Sequence, residues 1–404
     1  MNSADSPRGT KVGLALGLCV AAAMCEGMDV QTAGLAAGGI SRTFHPSPAQ
    51  LGLFFAAASL GLMVGAVVGG RLADRFGRKP VLTVSIFAFG LCSLMTAATW
   101  NMPTLTGARL MTGLGLGGAM PNLIALAADL SGQKSRNTSI GLSYVGMPLG
   151  AGVTSLIALA LPDGLWRPLF LIGGISPIVL AVLIASFLKT PASESSVPAH
   201  ELRPVSDLFA EGRLARTVVM WVGFFAAALT LHLILNWLPL LMEGRGLSRG
   251  AAATAQVAFN IVGAAGALIA ARGLDTRLRP ASVMLAVAAV PAALLAIAQG
   301  PPALALVMSA AGLLGAGILA QTVVLFGVAG DCYPKAIRGT GMGAAVGATR
   351  VGSLVGPSLG AVLVTAGRSP PEVLTALLPV VFVAAVCVVW LGWRAPRALA
   401  PVAA

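Results

Sequence analysis

The 404-residue chain is 57% apolar and 10% charged, against about 25% charged residues in soluble domains, so a soluble globular protein is excluded and an integral membrane protein is implied. A net charge of +12 does not make it a nucleic-acid binder, because membrane proteins retain basic residues in cytoplasmic loops, where they set topology. Five cysteines without CxxC spacing and three dispersed histidines supply neither a disulfide framework nor a metal site.

A membrane helix needs roughly 20 apolar residues. Twelve segments are predicted, near 12–40, 50–70, 80–99, 104–128, 138–160, 168–188, 216–241, 250–271, 281–299, 303–330, 340–366 and 373–393. The first follows a basic stretch (Arg8, Lys11) but outruns a signal-peptide core of roughly 7–15 residues, so it reads as an uncleaved span. The long polar stretch TPASESSVPAHELRPVSDLFAEGR, 190–213, reads as a solvated linker with a short amphipathic helix around DLFAEGRL. It divides the chain into a six-helix bundle at 1–188, a linker at 189–215 and a second bundle at 216–404. With the N-terminus inside, the cytoplasmic loops collect Arg71, Arg75, Arg78, Lys79, Arg136, Arg213, Arg272 and Arg338 among others. Only Arg42, Arg167, Arg245, Arg249 and Arg368 fall on the other side, which puts both termini in the cytoplasm.

The first span carries two acids, Glu26 and Asp29. Three residues apart, they share one helical face. Two carboxylates this close in a low dielectric oppose each other's ionisation, so a proton site is expected, and intramembrane acids are functional candidates by default. Arg109 in the fourth span lies at a compatible depth to pair with them; the competing reading is a permanent bridge locking the first helix to the fourth. Arg350, in the eleventh span, has no acid of its own half beside it. Because an unpaired buried guanidinium is costly, an anion met in an aqueous cavity is inferred, a carboxylate suiting its planar fork; the competing reading has Arg350 bonding helix carbonyls. Asn122, Tyr144, Asn236, Trp237, Gln256, Asn260 and Gln321 are further pocket candidates. Trp237 serves equally as an interfacial anchor, and His232 ranks below Asp29 as a proton group.

The chain also repeats itself at an offset of about 200 residues: GGRLADRFGRKP (69–80) matches AARGLDTRLRP (270–280), and DLSGQKSRNT (129–138) matches DCYPKAIRGT (331–340). Two like-oriented halves fit a parallel repeat about an axis along the membrane normal. In the first loop Asp74 ends the second span, where it can meet the exposed N–H groups of a neighbouring helix start. Arg75, Arg78 and Lys79 can pair with Asp129. Such contacts would hold one conformation and break in the other; a purely topogenic basic loop is the competing reading.

GGRLADRFGRKP, with Gly70, Arg71, Asp74, Arg75, Gly77, Arg78 and Lys79, resembles the loop signature between the second and third helices of the major facilitator superfamily. RLMTGLGLGGAMPN (109–122) resembles that superfamily's fourth-helix motif, and CEGMDVQTAGLAAGGI (25–40) the first helix of its aromatic acid:proton symporter family, with Glu26 where Asp is usual. PNLIALAADL, NWLPLL and GATRVG narrow the likeness to the 3-hydroxyphenylpropionate transporter branch. The resemblance implies an all-α membrane protein of two pseudo-symmetric six-helix bundles in a bacterial inner membrane. It implies a monomer that imports a small aromatic carboxylate with a proton by alternating access, through Glu26 and Asp29. No cofactor, nucleotide-binding loop or enzymatic reaction is expected. A proton-coupled exporter of a hydrophobic compound and a non-transporting membrane sensor are the rivals.

Overall fold

The computed structural model describes residues 7–130, 136–162, 164–188, 205–274, 276, 279–329, 332–334 and 337–394. All regular structure among them is helical. In chain order the helices are α1 (Pro7–Phe44), α2 (Pro48–Phe76), α3 (Arg78–Ala97), α4 (Met102–Leu130), α5 (Arg136–Ala160), α6 (Arg167–Phe187), α7 (Leu214–Gly244), α8 (Arg249–Leu274), α9 (Arg279–Gln299), α10 (Leu304–Ala329), α11 (Arg338–Thr365), α12 (Pro370–Thr375) and α13 (Leu378–Arg394). Each predicted span coincides with one helix, except that the last is broken into α12 and α13, which together form one apolar stretch, Pro370–Gly392. Eight helices among the described residues are long and apolar enough to cross a membrane.

Helix ends follow local chemistry. Ser47 caps α2 by accepting from the Gln50 N–H at 3.3 Å, while the Gln50 side chain accepts from the Ser47 N–H at 2.9 Å, with Pro48 opening the helix. Gly77 separates α2 from α3 with φ 89°, a conformation that disfavours a side chain. Over DLFAEGRL (207–214) the described residues take a 3-10 turn, Val205–Leu208, and turn conformations up to the start of α7 at Leu214 rather than the expected amphipathic helix. Glu211 (φ 54°) and Gly212 (φ 73°) take left-handed conformations that stop a helix from continuing.

Contacts group the chain into two compact units. The first holds Met1–Ser195, Leu233–Ile261 and Pro357–Pro370, so it takes in parts of α7, α8 and α11 as well as α1 to α6. In lipid the hydrophobic effect does not drive helices together, and small residues that allow close backbone approach do more. The α2–α4 seam follows this rule: Gly61, Gly65 and Gly69 recur every four residues on α2, and a Cβ on Gly61 would stand 2.1 Å from the Leu110 carbonyl oxygen. Leu18, Leu62, Phe89, Leu116 and Ile184 form a core of this unit. The second unit, Ser196–His232, Val262–Gly356 and Pro371–Ala404, has its core at Met220, Phe224, Val324, Tyr333, Val388 and Leu391. Outward-pointing Val84 (66% exposed), Ile269 (65%) and Phe382 (70%) would be an aggregation liability in water and are ordinary against lipid.

Candidate functional site

Asp29 and Arg109 meet. On α1, Asp29 Oδ1 accepts a hydrogen bond from Arg109 Nη1 of α4 at 2.5 Å, and both side chains are 2% exposed. Glu26, one turn earlier on α1, is equally buried at 1%. The guanidinium lies over the rings of Phe54 on α2 and Phe170 on α6, with centroids at 5.8 and 5.7 Å. Those rings attract a cation through their faces, so Arg109 is held by two neutral groups in addition to its carboxylate. Its Nε has no hydrogen-bond partner among the described residues.

Glycines let α1 bring the acids this deep. A Cβ on Gly27 would stand 1.9 Å from the Met147 carbonyl oxygen, and one on Gly150 2.0 Å from that of Met24, so α1 and α5 touch backbone to backbone. Thr154 closes the contact by donating to the Met28 carbonyl at 3.3 Å and to that of Gly150 at 3.2 Å.

A second polar cluster lies in the same unit. Asn260 Nδ2 on α8 donates to Gln31 Oε1 on α1 at 3.0 Å and to the Gln256 backbone carbonyl at 2.9 Å, while Gln256 Nε2 donates to the Leu235 carbonyl at 3.5 Å. Gln31 was not among the residues singled out from the sequence. Its place two residues after Asp29, as an amide within an otherwise apolar run, is the signal that marks it. Trp237 neither anchors at an interface nor offers a free ring. It is fully buried, donates from Nε1 to the Pro357 carbonyl at 2.9 Å and stands edge-on to Phe55 at 5.3 Å. Asn236 beside it is buried. Near the ends of α1 and α7, Arg42 faces Glu243 at 3.7 Å, and Arg249 donates to the carbonyls of Pro162 and Leu165 at 2.8 and 3.2 Å.

In the second unit Arg350 is half-buried and close enough to His232 to act on it electrostatically. The His232 Nδ1–H donates to the Ala228 carbonyl at 2.9 Å, which fixes the ring's tautomer. Gln321 is buried, and its Nε2 has no partner among the described residues. The side chains of Asn122, Tyr144, Asp74 and Asp129 lie outside the described residues.

In the charged loop, Lys79 Nζ donates to the Ala185 carbonyl near the end of α6 at 3.0 Å, a favourable place for a cation at a helix C-terminus. Arg75 lies over the Phe76 ring at 5.2 Å; Arg71 and Arg78 are exposed, and nothing approaches a Cβ built on Gly70. No group of three or more His, Cys, Asp or Glu side chains that could hold a metal occurs among the described residues.

The arrangement is one of a buried ion pair and a buried amide cluster, and among the described residues no nucleophile is set beside a base. Comparison with known proteins agrees with a transporter rather than an enzyme. The Major Facilitator Superfamily profile matches residues 19–328. The chain is 38% identical to the 3-(3-hydroxy-phenyl)propionate transporter of Escherichia coli (strain K12), over 97% of each chain. It is 31% identical to the gallate transporter of Pseudomonas putida, over 97% of this chain and 94% of that one. Its fold matches the crystal structure of a D-xylose-proton symporter with a TM-score of 0.77 at 15% identity, over 94% of this chain and 97% of the other. The chain therefore belongs to the major facilitator superfamily, with transporters of aromatic acids among its relatives.

Proposed function

We propose that the protein imports a small aromatic carboxylate together with a proton by alternating access, with 3-(3-hydroxyphenyl)propionate the first acid to test. The observation that carries this reading is the buried Asp29–Arg109 pair. An ion pair out of water is held only while both members are charged and bonded. Protonation of Asp29 removes the guanidinium's counter-ion, and Arg109, still cradled by Phe54 and Phe170, then takes the substrate carboxylate in its place. Loss of the proton on the other side re-forms the pair and expels the acid. Glu26, one turn away on α1 and equally buried, is the second coupling acid.

The relatives' substrates support the choice of acid, since both named relatives carry aromatic carboxylates. The asymmetry of basic residues supports cytoplasmic termini in a bacterial inner membrane. The bodies that move are the bundles 1–188 and 216–404, joined by the linker 189–215, in a protein that works as a monomer.

The test is proton movement. Protein is reconstituted into liposomes enclosing a pH-sensitive dye, and 3-(3-hydroxyphenyl)propionate is added outside. Acidification of the lumen in step with uptake is expected; uptake with an unchanged lumen pH would rule out symport.

A further inference from the structure

The amide cluster of Gln31, Asn260 and Gln256 takes no part in the exchange just described. Two residues beyond Asp29, Gln31 points about 200° away from it around the axis of α1, toward α8 rather than α4. All three side chains are buried, Gln31 and Gln256 at 0% exposure and Asn260 at 3%. Asn260 orients the cluster. Its Nδ2 occupies Gln31 Oε1, which leaves Gln31 Nε2 to point elsewhere, and that amide meets no acceptor among the described residues. Gln256 directs its Nε2 at Leu235, and its Oε1 receives no donor among the described residues. Buried polar atoms are nearly always bonded, and each exception calls for a reason.

The two unmet atoms are of opposite kind, one a donor and the other an acceptor. A carboxylate only accepts and an ammonium only donates, whereas a hydroxyl does both. We propose that Gln31 and Gln256 recognise a hydroxyl group on the transported acid, Gln31 Nε2 donating to its oxygen and Gln256 Oε1 accepting its hydrogen. Asn260 is the positioning residue that aims Gln31, while the Leu235 carbonyl holds the amide of Gln256. In this structure the helices are closed on one another here, for a Cβ on Gly34 would stand 2.2 Å from the Leu235 carbonyl oxygen. The hydroxyl therefore enters when α1 parts from α7 and α8, and the closed form leaves its donor and acceptor unmet. The proposal rests on the reading of the protein as an aromatic-carboxylate transporter and deepens it to phenolic acids.

The experiment compares uptake of 3-(3-hydroxyphenyl)propionate with that of 3-phenylpropionate, which lacks the hydroxyl, by reconstituted wild type, Gln31→Leu and Gln256→Leu. A site built to bond a hydroxyl discriminates against the analogue that leaves its groups unpaired, so wild type should favour the hydroxylated acid by roughly tenfold or more. Each variant should bring the ratio toward one by losing uptake of the hydroxylated acid while keeping uptake of 3-phenylpropionate. Should a leucine variant not fold, Gln31→Met and Gln256→Met, closer in shape, carry the same comparison. A wild-type ratio near one, or a ratio unchanged in the variants, overturns the hydroxyl site and leaves the transport reading standing. Uptake of neither acid by folded wild type overturns the transport reading, and this proposal with it.

Discussion

Arg109 of α4 reaches Asp29 of α1 at 2.5 Å between the rings of Phe54 and Phe170, with both charged side chains 2% exposed. Removing one member of such a pair strands the other charge, at a cost of about 3–5 kcal/mol. Arg109→Gln should therefore lower stability by that order in thermal or denaturant unfolding, and the Asp29→Asn/Arg109→Gln double variant should recover most of it. Neither should transport. Arg109→Lys keeps the charge but not the planar fork that lies over two rings, and uptake should fall at least roughly tenfold.

The α1–α5 contact tolerates no side chain at Gly27. A methyl there would stand 1.9 Å from the Met147 carbonyl oxygen, and backbone cannot yield as a flexible side chain does. Gly27→Ala should reduce the yield of monodisperse protein on size exclusion and abolish uptake. Gly17→Ala on the same helix, where nothing lies within 4 Å, should leave both unchanged.

Trp237→Phe keeps a ring against Phe55 but deletes the donor to the Pro357 carbonyl. The Pro357 carbonyl keeps its own helical N–H partner in α11, so what is lost is one further neutral hydrogen bond, about 0.5–1.5 kcal/mol. Unfolding should shift by that order, and Trp237→Ala, which also opens a cavity, should cost more.

Tyr333, in the connection between α10 and α11, donates from its hydroxyl to Thr217 Oγ1 at 3.1 Å, and Thr217 donates in turn to the Leu208 carbonyl at 2.7 Å. Burial raises the Tyr333 pKa above its ordinary value of 10.0. The unfolded chain thus releases this proton first as pH rises. The contribution to stability is complete below pH 10 and is lost as pH climbs through the folded value. Unfolding measured from pH 8 to 11 should show a fall at the alkaline end that Tyr333→Phe lacks.

The spans were legible because charged loops and Pro/Gly breaks punctuate runs of apolar residues, and Gly77 fell where α2 gives way to α3. The sequence places Asp29 and Arg109 at compatible depths on two spans predicted to run in opposite directions, and the structure brings them together. What flanks them was not legible. Phe54 and Phe170 are two apolar residues among many, and only tertiary packing places their faces on a guanidinium. Gln31 escaped notice because a single amide has no periodicity. Lys79 has its partner in a main-chain carbonyl of α6, and a backbone acceptor has no residue type to reveal it. Trp237 read ambiguously as anchor or stacking platform, and its actual partners on α2 and α11 are remote in sequence.

The central claim is that Asp29 carries the coupled proton. The most direct measurement is uptake of labelled 3-(3-hydroxyphenyl)propionate into proteoliposomes, with and without an inward proton gradient, by wild type and Asp29→Asn. Wild type should accumulate the acid only with the gradient, and Asp29→Asn should not accumulate it under either condition. Gradient-driven accumulation by Asp29→Asn would contradict the claim.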